Sequence, residues 1–252
     1  MNTAERFWIG TSWKMNKTLA EATDYARALK QSRLFQDQRL QGFIIPPFTA
    51  LAAVCREVGD FPVVVGAQNM CWADRGAFTG EVSPVMIKDC GATLVELGHS
   101  ERRQMFGETD ETVNRKVRAA LAHGLVPLIC VGETAAEKGF GAAAETVVRQ
   151  TRIALHGVEG GDLKRVLVAY EPVWAIGEHG TPATPDYADW IHQKISAALP
   201  VPVLYGGSVD ETNSLAFAEL PSVAGLFIGR SAWSVDGYLR IVEKVTRVRF
   251  KA

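Results

Sequence analysis

Lys14, His99 and Glu171 each follow an apolar, strand-like run: Phe7-Trp8-Ile9-Gly10-Thr11-Ser12-Trp13, Leu94-Val95-Glu96-Leu97-Gly98 and Arg165-Val166-Leu167-Val168-Ala169-Tyr170. In a parallel β/α protein the C-terminal ends of the strands open onto one face, so residues distant in sequence converge there. A cation, an imidazole and a carboxylate at such a face equip a protein to move protons on an anionic substrate. Taken singly, each residue has a plainer role. A lone strand-end glutamate commonly makes a surface ion pair, and a lone histidine is usually structural. His123, His156 and His192 are assigned to that structural class.

The elements that must position the three residues alternate from one end of the chain to the other. Strand-like runs lie near Phe7–Trp13, Gly42–Ile45, Val63–Ala67, Leu94–Gly98, Pro127–Val131, Arg165–Tyr170, Val203–Tyr205 and Gly225–Ile228. Between them fall stretches of helical period, including Leu19–Ser32, Thr112–His123, Ala142–Leu155, Tyr187–Ala198 and Val235–Val248. Thr18 with Glu21 reads as a capping box, and Thr184-Pro185 as a cap followed by proline at the first helical position. Eight such β/α units in 252 residues fit the α/β class as a single closed (β/α)8 barrel, with residues 1–252 forming one domain. No GxGxxG fingerprint follows the first strand, which weighs against a dinucleotide-binding doubly wound sheet.

Composition narrows the partners. A formal net charge of −1, without polybasic runs, gives no electrostatic footprint for nucleic acid or an anionic membrane. Any phosphate must therefore be held by a local site. The cysteines Cys55, Cys71, Cys90 and Cys130 form no CxxC pair, which argues against a zinc site or a disulfide framework. No apolar stretch approaches the roughly 20 residues needed to span a bilayer, and the N-terminus carries no signal-peptide pattern. A cytoplasmic location is expected.

Two loops exceed the roughly 2–6 residues usual in β/α units, Gln68–Gly80 and Pro172–Thr184. The first carries Met70, Cys71, Trp72 and Phe78, an apolar set expected to dock against a second copy of the chain in a homodimer.

Several local sequences sharpen the reading. Trp13-Lys14-Met15-Asn16, Gly66-Ala67-Gln68-Asn69, Gly98-His99-Ser100-Glu101-Arg102-Arg103, Cys130-Val131-Gly132-Glu133, Tyr170-Glu171-Pro172-Val173-Trp174-Ala175-Ile176-Gly177 and Tyr205-Gly206-Gly207-Ser208-Val209 occur in order over nearly the whole chain. Together they resemble the triosephosphate isomerase family, whose fold is the TIM barrel. The resemblance implies an isomerase of a small phosphorylated sugar that uses neither metal nor organic cofactor. It implies that Glu171 is the base that takes a proton beside a carbonyl and returns it to the neighbouring carbon. His99 is then a neutral donor to the substrate oxygens, with Ser100 capping a short helix behind it. Lys14 supplies fixed positive charge, and Glu101 orients the cluster. The phosphate is expected on backbone N–H groups of Gly177, Gly206-Gly207-Ser208 and Gly229-Arg230. Pro172–Thr184 becomes a lid, latched by Glu133 and Tyr205.

The chain departs from the family pattern at three places. Ser12 stands where the family has an asparagine that reaches the substrate oxygens remote from the phosphate. The lid sequence Gly177-Glu178-His179-Gly180-Thr181-Pro182-Ala183-Thr184 is about one residue longer than usual, and Arg230 replaces a glycine after the eighth strand. A smaller, hydroxyl-bearing residue at position 12 leaves room for one more hydroxymethyl group. Together with Gly229-Arg230-Ser231-Ala232-Trp233, this resembles the tetrulose-phosphate branch of the family, which serves erythritol-type catabolism. The expected reaction is L-erythrulose 1-phosphate to D-erythrulose 4-phosphate through an enediol. The alternatives are the glycolytic three-carbon isomerisation of dihydroxyacetone phosphate and, more remotely, a non-catalytic sugar-phosphate binder. Ser12, Lys14, Gly177, Ser208, Gly229 and Arg230 are the expected substrate-binding residues.

Overall fold

The computed structural model describes residues 3–177 and 180–250. Strands β1 (Phe7–Ser12), β2 (Leu40–Ile45), β3 (Val63–Ala67), β4 (Leu94–Leu97), β5 (Val126–Val131), β6 (Leu167–Tyr170), β7 (Val203–Tyr205) and β8 (Gly225–Ile228) form a closed barrel in chain order. Every neighbouring pair is parallel. Closure comes from β1 against β8, with Trp8 opposite Gly225 and Thr11 opposite Ile228.

Because side chains alternate along a strand, the barrel has two hydrophobic layers. Trp8, Phe43, Leu94, Leu128, Cys130, Leu167, Ala169 and Phe227 fill the interior. Ile9, Val95, Leu97, Ile129 and Val168 point outward and join the helices in a larger cluster. With both faces buried, the strands read as nearly continuous apolar runs.

The helices are α1 (Leu19–Leu29), α2 (Phe48–Val58), α3 (Pro84–Asp89), α4 (Ser100–Phe106), α5 (Asp110–Ala122), α6 (Ala135–Gly139), α7 (Ala143–Ala154), α8 (Pro185–Ala198), α9 (Ser214–Ala218) and α10 (Val235–Arg249). The Thr18/Glu21 capping box opens α1, and Thr184 with Pro185 opens α8, as the sequence indicated. Helix α5 starts at Asp110 rather than Thr112, because Thr109 is the residue whose side chain caps it. Helices α2, α3, α6 and α9 escape the periodicity reading. The last three are only five or six residues long, and α2 starts at Phe48 behind Pro47, with no side-chain cap to announce it. Among the described residues no helix is long and apolar enough to cross a membrane.

In the long loop after β3, Met70 and Cys71 are buried within the chain, while Trp72 and Phe78 are left partly exposed with their rings 6.1 Å apart.

Candidate active site

A cleft of about 480 Å³ opens at the C-terminal ends of the strands, within the range of small-ligand sites. Lys14, His99 and Glu171, separated widely in sequence, all line it. So do Ser12, Gly177, Ser208, Gly229 and Arg230.

Lys14 follows β1 in a left-handed backbone conformation, φ +51°, which is uncommon for a residue with a side chain. The Gln68 amide donates to its carbonyl at 2.8 Å and helps hold that conformation. The Lys14 ammonium donates to Glu101 Oε1 at 2.7 Å. Burial opposes its charge, but the Glu101 bond and the Glu171, Glu101 and Glu96 charges outweigh burial and hold its pKa above the ordinary lysine value.

His99 is itself the N-cap of α4. Its Nδ1 accepts the Glu101 backbone N–H at 3.1 Å. The expectation that Ser100 caps this helix is corrected, since Ser100 is the first residue inside it. The correction has a chemical consequence. An acceptor Nδ1 carries no proton, which assigns the ring's proton to Nε2.

The turn that carries His99 is clamped on both sides. The Gly98 N–H donates to Glu108 at 3.1 Å, and the Gly98 carbonyl accepts from Arg103 Nε at 2.7 Å. Behind these, Lys116 joins Glu108 to Asn69, and Asp110 bridges Arg103 and Arg149. Buried groups paired in this way give the imidazole one position.

Glu171 follows β6 and is 6% exposed. Its Oε2 is buried, has no hydrogen-bond partner among the described residues, and lies 3.6 Å from His99 Nε2. Two glycines make room for it. A Cβ on Gly132 would fall 1.9 Å from the Glu171 carbonyl oxygen, and one on Gly206 would fall 2.7 Å from its Cγ. A carboxylate with a free lone pair facing a neutral imidazole donor can take a proton from carbon while the imidazole N–H meets the adjacent oxygen.

The β7, β8 and lid segments differ in character. Gly177 (φ +87°) and Ser208 (φ +51°) have left-handed backbones. The Ser208 hydroxyl donates to the Ala175 carbonyl at 2.5 Å, tying the β7 loop to the lid. Gly229 precedes a short 3₁₀ turn, Arg230–Ala232, with the exposed Arg230 at the rim. The lid's first turn is held by a buried Glu133, which accepts from Trp174 Nε1 at 2.8 Å, Tyr187 at 2.9 Å and Tyr170 at 3.1 Å. The Tyr205 hydroxyl donates to Gly207 at 3.0 Å. Of the altered lid sequence, Glu178 and His179 lie outside the described residues.

Sequence reasoning passes over Glu96. It lies on β4, two residues beyond the inward-facing Leu94, is 3% exposed, and lines the cleft beside Ser12. Burial, opposed by His99 and reinforced by Glu171, lifts its carboxyl to about 7. The available signal was one acid inside an otherwise apolar run. His192, in contrast, packs fully buried against Tyr170 and Tyr205, where burial pushes it down to about 4, in keeping with a structural role.

The sequence profile of the triosephosphate isomerase family matches residues 7–245. The chain is similar to proteins named L-erythrulose-1-phosphate isomerase. The one from Rhizobium rhizogenes is 53% identical over 251 residues, covering 97% of this chain and 96% of that protein. Those from Rhizobium etli and Rhizobium meliloti are each 55% identical over 247 residues, covering 95% of this chain and 92% and 97% of those proteins.

Proposed function

The chain belongs to the triosephosphate isomerase family, and on that premise we propose that it interconverts L-erythrulose 1-phosphate and D-erythrulose 4-phosphate. The observation that carries the chemistry is the facing pair at 3.6 Å, the unpartnered Glu171 Oε2 and a His99 Nε2 that must hold the ring's proton. The four-carbon substrate is supported by Ser12 in the cleft and by the names of the relatives.

In the forward direction Glu171 takes the proton from C3 of the ketose. The electron pair forms the C2–C3 double bond, and negative charge develops on the C2 oxygen. The His99 N–H and the Lys14 ammonium meet that charge. The C3 hydroxyl proton passes to the C2 oxygen, Glu171 returns its proton to C2, and the carbonyl is now at C3. Renumbered from the other end, the product is D-erythrulose 4-phosphate. No atom is gained or lost.

Backbone N–H groups of Gly177, Ser208 and Gly229 hold the phosphate, and Arg230 adds positive charge at the rim. Closure of the lid excludes water, which protects an enediol phosphate from losing its phosphate by elimination.

The same reading includes a homodimer through the Gln68–Gly80 loop. Trp72 and Phe78 are partly exposed on it, and Met15, next to Lys14, is 96% exposed. A partner covering Met15 would also brace the loop that carries Lys14. A cytoplasmic place in four-carbon sugar-alcohol breakdown belongs to this reading as well.

The deciding experiment compares kcat/KM for L-erythrulose 1-phosphate and dihydroxyacetone phosphate on one preparation. The four-carbon substrate is expected to be preferred. A strong preference for the three-carbon substrate overturns the assignment.

A further inference from the structure

Glu96 places a carboxyl where the barrel has no structural use for one. Its strand neighbour Leu94 and the adjacent interior residues Leu128, Cys130 and Ala169 form an apolar interior. Burying an acid there costs free energy that a leucine of similar volume would avoid. A carboxylate has about four acceptor sites. Here the Cys130 thiol donates weakly to Oε1 at 3.9 Å, and the Ser12 hydroxyl lends further stabilisation to the charge. Most of the acceptor capacity is left unused, at a position lining the cleft.

The topology says what could use it. In a closed barrel of eight strands in chain order, β4 lies opposite β8. A phosphate held at the β7 and β8 loops sends its carbon chain across the mouth toward β4. His99, just past the end of β4, meets the oxygens of the reacting carbons. Glu96, three residues earlier on the same wall, lies deeper.

We propose that the Glu96 carboxyl, together with the Ser12 hydroxyl, accepts the hydroxyl of the substrate carbon beyond the reacting pair and so selects the four-carbon chain. The proposal rests on the functional reading above and makes Glu96 a specificity residue of the same cleft. It supplies what space alone does not. An extra carbon in a pocket is discriminated only about 10–200-fold, whereas a buried polar group left unpaired by the wrong substrate rejects it much more strongly.

The test is a cycle between protein and substrate. kcat/KM is measured for L-erythrulose 1-phosphate and for its 4-deoxy analogue, in which the terminal hydroxymethyl is a methyl, on wild type, Glu96→Leu and Glu96→Gln. Wild type is expected to favour the hydroxylated substrate by about tenfold or more. Glu96→Leu brings the ratio close to one, and Glu96→Gln, whose amide still bonds a hydroxyl, lowers it by about threefold or more. A Glu96→Leu ratio equal to wild type overturns the proposal, whether both rates persist or both fall together; the parallel fall would make Glu96 a tuner of the Glu171–His99 pair. Should Glu96→Leu fail to fold, Glu96→Gln decides, and an unchanged ratio overturns the proposal. Absence of wild-type turnover on L-erythrulose 1-phosphate sinks the functional reading, and the proposal with it, before any variant is made. Wild-type turnover with equal rates on the two compounds sinks the proposal alone.

Discussion

The two ends of the cleft are made from different parts of the chain. At the end proposed to hold the phosphate, Gly177, Ser208 and Gly229 sit on loops and present backbone groups, two of them in left-handed conformations. At the end proposed to read the carbon chain, Ser12 and Glu96 sit on strands, nearly fully buried, and present side chains. Backbone donors recognise a phosphate whatever carries it, and changing a side chain there alters little of the recognition. Side chains anchored on strands hold a tighter geometry and can be exchanged one at a time. The loop end therefore suits what substrates of such a barrel share, and the strand end suits what distinguishes them. In the proposed mechanism Glu171 and His99 serve any substrate that both ends hold.

The comparison predicts a ranking of effects. Glu171→Gln removes the proposed base and should lower kcat by roughly 10²–10⁴-fold, in parallel on four-carbon and three-carbon substrates. Near wild-type turnover in this variant would mean that the proton moves by another group. Ser12→Asn acts at the strand end only. Filling the space for one carbon is worth about 1–3 kcal/mol, so the kcat/KM ratio should move toward dihydroxyacetone phosphate by tenfold or more. A parallel fall on both substrates would show that position 12 supports the site without reading the chain.

Gly177→Ala perturbs the loop end. At φ +87° an added Cβ has open space around it but an unfavourable backbone, which costs about 1–2 kcal/mol. The lid relaxes, KM rises by a few-fold to about tenfold on both substrates, and their ratio stays put. A change in ratio would break the division between the two ends.

The sequence exposed these regions unevenly, for physical reasons. Lys14, His99 and Glu171 are polar residues at the ends of apolar runs, so they stand out on any reading. Ser12 stands out against the family pattern, because a local substitution is visible locally. Glu96 did not, since a strand buried on both faces loses its period-two contrast and a single acid within it shows no direction. The short helix behind His99 was expected, but with Ser100 rather than His99 as its cap. Whether residue 99 or 100 occupies that position shifts by one residue, which composition does not resolve. The bonds of Lys116 to Asn69 and of Arg149 to Asp110 behind the Gly98 clamp, and the hold of Gln68 on Lys14, join segments far apart in sequence. They become visible only once the strands close.

The smallest expected effect tests the strand end without substrate. The Glu96 carboxyl, facing His99, Glu171, Lys14, Cys130 and the Ser12 hydroxyl, is raised from an ordinary value of 4.5 to about 7. A raised carboxyl means that the folded state binds more protons than the unfolded chain between those values. Stability therefore falls as pH rises through that window, and the loss is complete above about 7. Glu96→Gln carries no charge to bury and escapes the loss. Its Tm relative to wild type should be higher at pH 8 than at pH 5 by several degrees, since about 1 kcal/mol moves Tm by roughly 2–4 °C at this chain length. Thermal melts of both proteins at the two pH values provide the measurement. A difference in Tm that does not change with pH would show that Glu96 stays ionised without strain. The strand end would then be a polar, hydrated wall like the loop end, and the contrast between the two would rest on Ser12 alone.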